Sequence, residues 1–175
     1  TGLPATLWPF LPRYEDAMRM MGAAGMNYEA VAARTAAYTG GIHCRTVLET
    51  HAADPRRPRW FLQVSLKALD EQIGPALDLL GDLIFAVDPR DGERLRDVVV
   101  QARAHYRTEL VQDGRGTAIR HAFRGLTPEG HLREVTDGLP QLDINERYAG
   151  RFDALQDDLM EKIAAIRDFI LARER

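Results

Sequence analysis

The pattern of apolar and polar positions changes period twice along the chain. From Thr6 onward, Leu7, Leu11, Tyr14, Met18 and Met21 recur at the spacing of one helical face. Thr6 is the expected N-cap, and Pro9 falls in the first turn, where its missing N–H is tolerated. Pro12 either kinks this helix or marks its start. Gly22 and Gly25 interrupt the pattern, and Asn27 is the expected cap of a second helix carrying Tyr28, Val31, Ala32, Thr35 and Tyr38. Gly40 and Gly41 then stop the helix and turn the chain toward a strand, the structural role assigned to this pair.

Beyond Gly41 the period becomes two. Ile42, Cys44, Thr46 and Leu48 share one face, and His43, Arg45, Val47 and Glu49 share the other. Asp54-Pro55 and Pro58 signal a turn across 51–58. Trp60, Leu62, Val64, Leu66 and Ala68 then alternate with Gln63, Ser65 and Lys67, with Phe61 as the exception. The pattern predicts an antiparallel hairpin over 42–50 and 59–67 with one face on a core.

From Asp70 the helical period returns in Ile73, Leu77, Leu80 and Ile84, and Asp88 to Asp91 break it. A long helix carries Leu95, Val98, Val99, Ala102, Tyr106 and Leu110, and Asp113-Gly114 ends it. A shorter one spans about 115–124. Thr127-Pro128 opens another helix, which Gly138-Leu139-Pro140 closes. Phe152, Leu155, Leu159, Ile163, Ile166 and Ile170 form the last stripe. About seven helices and two strands make an α+β chain, and a lone hairpin is too small to stand as a complete sheet.

Composition adds bounds. The 175 residues suffice for one domain with a sizeable core. A net charge of -3 argues against nucleic acid as a partner. Of 23 basic residues only Lys67 and Lys162 are lysine, which reads as codon bias of a GC-rich bacterium. Cys44 is the single cysteine and no apolar run is long enough for a span, so the expected compartment is the cytoplasm, with no membrane partner. The chain begins at Thr1 rather than Met and reads as a piece of something longer.

Candidate chemistry is sparse. His131-Leu132-Arg133-Glu134-Val135 approaches an inverted zinc motif, but Val135 stands where the second histidine is needed. It reads as an exposed histidine beside a solvated Arg133–Glu134 pair. His43 and Cys44 are strand neighbours facing opposite ways and cannot share a metal. His51 lies in the expected turn, and His105 and His121 are single histidines on helices. Ser65, the only serine, lacks a nucleophile-elbow surround. Gly114-Arg115-Gly116 reads as a turn with a helix start more than as an anion site. Asp157-Asp158 reads as a solvated face. No residue is assigned as catalytic or metal-binding, and no substrate-binding residue is identified.

Several combined stretches resemble the M16 family of zinc metallopeptidases, in its presequence-protease-like branch (subfamily C). They are Leu11-Pro12 with the Met-rich helix and Gly22, Asn27-Tyr28-Glu29, Tyr38-Thr39-Gly40-Gly41-Ile42 and Val64-Ser65-Leu66-Lys67-Ala68-Leu69. Phe85 with Asp88, Arg94-Leu95, and the spacing to Phe123, Glu134 and Gly138-Leu139 are also similar. The resemblance runs over roughly 5–171 and fits the third of that branch's four homologous domains. It implies helices packed on one face of an antiparallel sheet, with the sheet incomplete in this chain, and one fragment of an M16-like domain over 1–175 (helices 6–39, hairpin 42–67, helices 70–171). It implies a catalytically silent wall of a peptide chamber, with zinc held by the N-terminal half of the same polypeptide and no cofactor in this segment. The partners so implied are that catalytic half and a peptide substrate, and the open strand edges leave self-association as a further expectation. Two alternatives stand beside it: a self-standing, non-enzymatic assembly subunit of the same fold, and a small enzyme built on Cys44 or Ser65.

Overall fold

Proline placement sets how the chain begins. The computed structural model describes residues 2–51 and 53–172, with the backbone alone at residues 50 and 55–58. The expected first helix is two elements, a 3-10 helix over Ala5–Phe10 containing Pro9 and then α1 over Leu11–Met20. Pro12 sits in the first turn of α1, where the absent N–H has no partner to lose. Thr6 caps nothing, because the 3-10 helix is preceded by Pro4 without a side-chain cap. α1 buries Leu11, Tyr14, Ala17 and Met18, and the Tyr14 hydroxyl donates to Ile84 O at 2.9 Å.

After β1 (Gly22–Ala23), Asn27 caps α2 (Tyr28–Tyr38) by accepting from Ala30 N at 2.9 Å. The glycine pair follows. Gly40 N donates to Lys67 O at 2.7 Å, and Gly41 has φ +133°, which a residue with a Cβ adopts only under strain. The hairpin is longer than the alternation predicts, with β2 over Gly41–His51 and β3 over Asp54–Lys67. The expected turn across 51–58 is therefore mostly strand, and the chain reverses between His51 and Asp54 with a register shift at Thr50/His51. Pro55 and Pro58 lie in a strand that has no second neighbour among the described residues, the position in a sheet where proline is tolerated. The two-faced reading holds: Cys44 and Leu48 are buried, while His43, Arg45, Gln63, Ser65 and Lys67 face solvent.

The ladder pairs Thr46 with Leu62 and Leu48 with Trp60. The Thr46 N–H donates to Glu15 Oε1 on α1, and the Leu48 carbonyl accepts from Arg133 Nη2 at 3.0 Å. Backbone groups of alternate residues point away from the partner strand, so these two side chains cap the outer edge of β2. Leu62 and Trp60 correspondingly turn their backbone groups to the far side of β3, where no strand lies among the described residues.

A 3-10 turn (Asp70–Gln72) leads into α3 (Ile73–Phe85), followed by β4 (Val87–Asp88). β4 pairs antiparallel with β1, Gly22 to Asp88 and Ala23 to Val87. Two-residue strands carry no alternation, so the pattern did not reveal them. Next come α4 (Gly92–Gln112), α5 (Gly114–Phe123), α6 (Pro128–Asp137), α7 (Pro140–Gly150) and α8 (Phe152–Ala172). α7 also escaped the pattern, because it buries Gln141, Asn145 and Tyr148 rather than an aliphatic stripe. Asp113 joins α4 to α5, accepting from Gly116 N at 3.0 Å, and Thr127 caps α6 through Gly130 N at 2.9 Å. The main core gathers Tyr14, Met18, Leu95, Val98, Leu159 and Ile163 beneath Cys44 of β2. A smaller one joins Ala23, Val31, Leu79 and Leu83. Helices thus pack on one face of a small antiparallel hairpin, a mostly helical α+β arrangement.

Candidate functional site

The inner face of the hairpin closes over an apolar hollow of about 810 Å³. Leu3, Trp8, Trp60, Leu62, Leu132 and Ile170 line it, and the Trp8 and Trp60 rings lie 5.4 Å apart. The two-residue alternation that sends Trp60 and Leu62 inward builds one wall, and the last turns of α8 build the opposite one. Trp8 is fixed by donating its indole N–H to Leu3 O at 2.9 Å. Thr46, His51 and Arg59 supply polar groups at the rim. Such a hollow accepts an apolar side chain. Among the described residues that line it, none is a nucleophile with an adjacent base.

A second, polar recess of about 440 Å³ lies along α1, α4 and α7. Arg13 is 9% exposed and pairs with Asp16 at 3.1 Å, and burial lowers its pKa from the ordinary arginine value. Glu15 also lines the recess, and its Oε1 accepts from both the N–H and the hydroxyl of Thr46. Burial raises the Glu15 pKa, and the hydrogen bonds from Thr46 oppose that rise. Gln141 bridges three elements by donating to Pro9 O at 2.9 Å and Val135 O at 2.8 Å. No sequence signal marked Glu15 or Gln141, since their partners include backbone groups distant in the chain.

The residues singled out from sequence are not brought together. His43 lies on the solvent face across the ladder from Ser65, with no hydrogen bond between them among the described residues. Cys44 points inward, its Sγ 3.7 Å from Met18 Sδ, and burial pushes its pKa up to about 12. A thiol so placed is not a nucleophile at neutral pH. His51 Nδ1 accepts from Ala53 N at 3.2 Å, and His105 lies 3.4 Å from Glu109 on the exposed side of α4.

Two readings are corrected. Glu134 is not solvated with Arg133: it is 4% exposed and turned onto His121 Nδ1 at 2.7 Å. His131 faces solvent, so the residues of the near-motif diverge, and these residues do not fit a zinc site. Among the described residues no group of three His, Cys, Asp or Glu side chains could hold a metal. Asp158 is also more than a solvated acid. It accepts from Tyr148 Oη and Lys162 Nζ, and those bonds, Lys162 first, hold its carboxyl below the usual range. Asp113 already supplies the carboxylate at the N-terminus of α5, so Gly114-Arg115-Gly116 is a capped helix start.

Helices pack over one face of a hairpin, and the described residues bring no catalytic set together. Residues 1–147 match the model of the family associated with peptidase M16, subfamily C, and the chain belongs to that family. It is 26% identical over 170 residues to a mitochondrial presequence protease of Xenopus laevis, covering 97% of this chain and 16% of the relative. A mitochondrial presequence protease of Yarrowia lipolytica is 21% identical over 175 residues, covering 99% of this chain and 18% of the relative. A protein called HypA from Clostridium perfringens is 22% identical over 170 residues, covering 96% and 17%. The chain therefore spans less than a fifth of the length of these relatives.

Proposed function

We propose that this chain is a non-catalytic domain of a zinc endopeptidase of the M16 family, subfamily C, and forms part of the wall of its substrate chamber. The observation that carries the reading is the family match over residues 1–147, on relatives more than five times longer. Zinc and the catalytic carboxylate belong to the N-terminal half of that polypeptide, where the metal supplies a Lewis acid and an activated water. The contribution of this chain is positional. Glu15 and Arg133 fasten the hairpin to α1 and α6, and Gln141 ties α7 to the segment ahead of α1. A wall must hold its shape while peptide enters and leaves, and these links join elements distant in sequence.

The test starts from the native polypeptide, detected with an antibody to this tract. A mass several times that of this chain is expected, with peptide cleavage abolished by a chelator and restored by zinc. In that protein Cys44→Ala, Ser65→Ala and His131→Ala should each leave kcat unchanged within about twofold, since none touches the reacting atoms. A polypeptide no longer than this chain would sink the reading in favour of a self-standing assembly subunit. A loss of kcat in Ser65→Ala or Cys44→Ala without loss of fold would place chemistry in this chain and overturn it equally.

A further inference from the structure

Among the described residues, α5 is the one helix of eight or more residues that buries no side chain. It is held on its inner side, where His121 meets Glu134 and Arg120 pairs with Asp137 at 3.3 Å. Its outer side carries Ile119 and Phe123, one helical turn apart, and the following turn carries Leu126. These three are 49%, 56% and 69% exposed. Charge marks the same stretch. Residues 114–128 include Arg115, Arg120 and Arg124 and no carboxylate, in a chain whose net charge is -3. Arg124 donates to the His121 carbonyl at 2.6 Å and forms no ion pair among the described residues.

An apolar stripe edged by arginines, of which Arg120 alone is ion-paired among the described residues, is what one side of an interface looks like when the other side is apolar and acidic. The relatives place more than four-fifths of a polypeptide outside the length matched here. We propose that the outer face of α5, centred on Ile119, Phe123 and Leu126, docks on an acidic, apolar surface elsewhere in the same polypeptide. The inference rests on the reading of this chain as one domain of a longer peptidase. Phe123 is its central anchor, and Arg115 and Arg124 set the register at its margin. A second copy of this chain would also offer a surface of the opposite sign, since Leu69, Ile73 and Leu77 are exposed beside Asp70, Glu71 and Asp78. That contact is head-to-tail and does not close on itself, and the intramolecular partner is preferred for that reason.

The experiment uses the complete native polypeptide carrying Phe123→Cys or, as a second variant, Ile119→Cys, each labelled with a maleimide before and after unfolding in urea and read by peptide mass at the introduced cysteine, apart from the buried Cys44. Labelling in the folded protein is expected to be at least about tenfold slower than in the unfolded one. Adding Arg115→Glu with Arg124→Glu should recover most of that rate, and raising the salt should recover part of it. Rapid labelling of both cysteines in a folded polypeptide several times longer than this chain would overturn the docking and leave the domain reading intact. A native polypeptide no longer than this chain would overturn both. Protection that appears only as protein concentration rises would identify a second copy as the partner. Protection that appears only with anionic vesicles would identify a membrane. Either result overturns the proposal.

Discussion

Glu15 is the most informative single position to perturb. Its Oε1 takes both the backbone N–H and the hydroxyl of Thr46, each at 2.5 Å, and so fixes α1 to the edge of β2. A hydrogen bond to a charged group contributes about 1.5–3 kcal/mol, and a buried donor left unpaired loses about 1–3 kcal/mol. The two bonds share one oxygen and do not add, and removing a half-buried carboxylate returns part of its desolvation penalty. Glu15→Ala is therefore expected to lose about 2 kcal/mol net. With a urea slope of roughly 2 kcal/mol/M for a chain of this size, the midpoint should fall by about 1 M. Glu15→Gln keeps an acceptor for Thr46 and should lose about half as much. The pH dependence then separates charge from geometry. The folded pKa of Glu15 lies above its ordinary value of 4.5, chiefly through burial, so the folded state takes up the proton first as the pH falls. The stability supplied by Glu15 accordingly grows on acidification from neutrality and is complete below 4.5. The difference between wild type and Glu15→Gln should widen over that window. A midpoint shift under about 0.3 M for Glu15→Ala, or a difference that shrinks on acidification, would refute the reasoning.

Other positions give sharper yes-or-no results. Leu159 is fully buried in α8, and Leu159→Ala should lose about 3 kcal/mol and lower the Tm by roughly 6–12 °C in a thermal melt. Gly116→Ala places a Cβ 2.0 Å from Asp113 Oδ2, so the cap must open at about 1 kcal/mol, while the neighbouring Gly114→Ala meets nothing within 4 Å and should be neutral or stabilising. Denaturant midpoints of the pair check the sign. Cys44, with its thiol pushed up to about 12 by burial, should react with a thiol reagent at pH 8 only as fast as the protein opens, and rapid stoichiometric labelling without denaturant would contradict its placement.

What the sequence made legible follows from which forces act locally. Caps are local, so Asn27 and Thr127 could be located from residue type and position, whereas Thr6 caps nothing because the prolines around it start a 3-10 helix instead, and Asp113, read as a helix end, caps the helix that follows. Strand alternation is local too, and it separated Cys44 and Leu48 from His43 and Arg45 correctly. The missed elements lack such a signal. β1 and β4 exist only because residues 22–23 and 87–88 meet across the fold. α7 hides its inner side behind Gln141, Asn145 and Tyr148, which a hydrophobic count reads as polar. Pro55 and Pro58 were read as a turn because their tolerance inside β3 depends on the absence of a neighbour on that side. Glu134 was read as solvated because nothing in its own segment announces His121, on another helix. The resemblance supplied the family, which no single residue here carries.

The capping of β2 gives the hairpin a direction. With Glu15 on the Thr46 N–H and Arg133 on the Leu48 carbonyl, side chains obstruct the outer edge of β2 along this stretch, whereas no strand among the described residues pairs with the outer edge of β3. A ribbon open on both sides is a template that copies can lengthen without limit. One open on a single side can accept one neighbouring strand and is then finished. If that neighbour is β3 of a second copy, the two-fold pair consumes both free edges and growth ends at two. Breaking either cap removes that stop, so Glu15→Ala and Arg133→Ala would be the variants in which a closed dimer gives way to fibres.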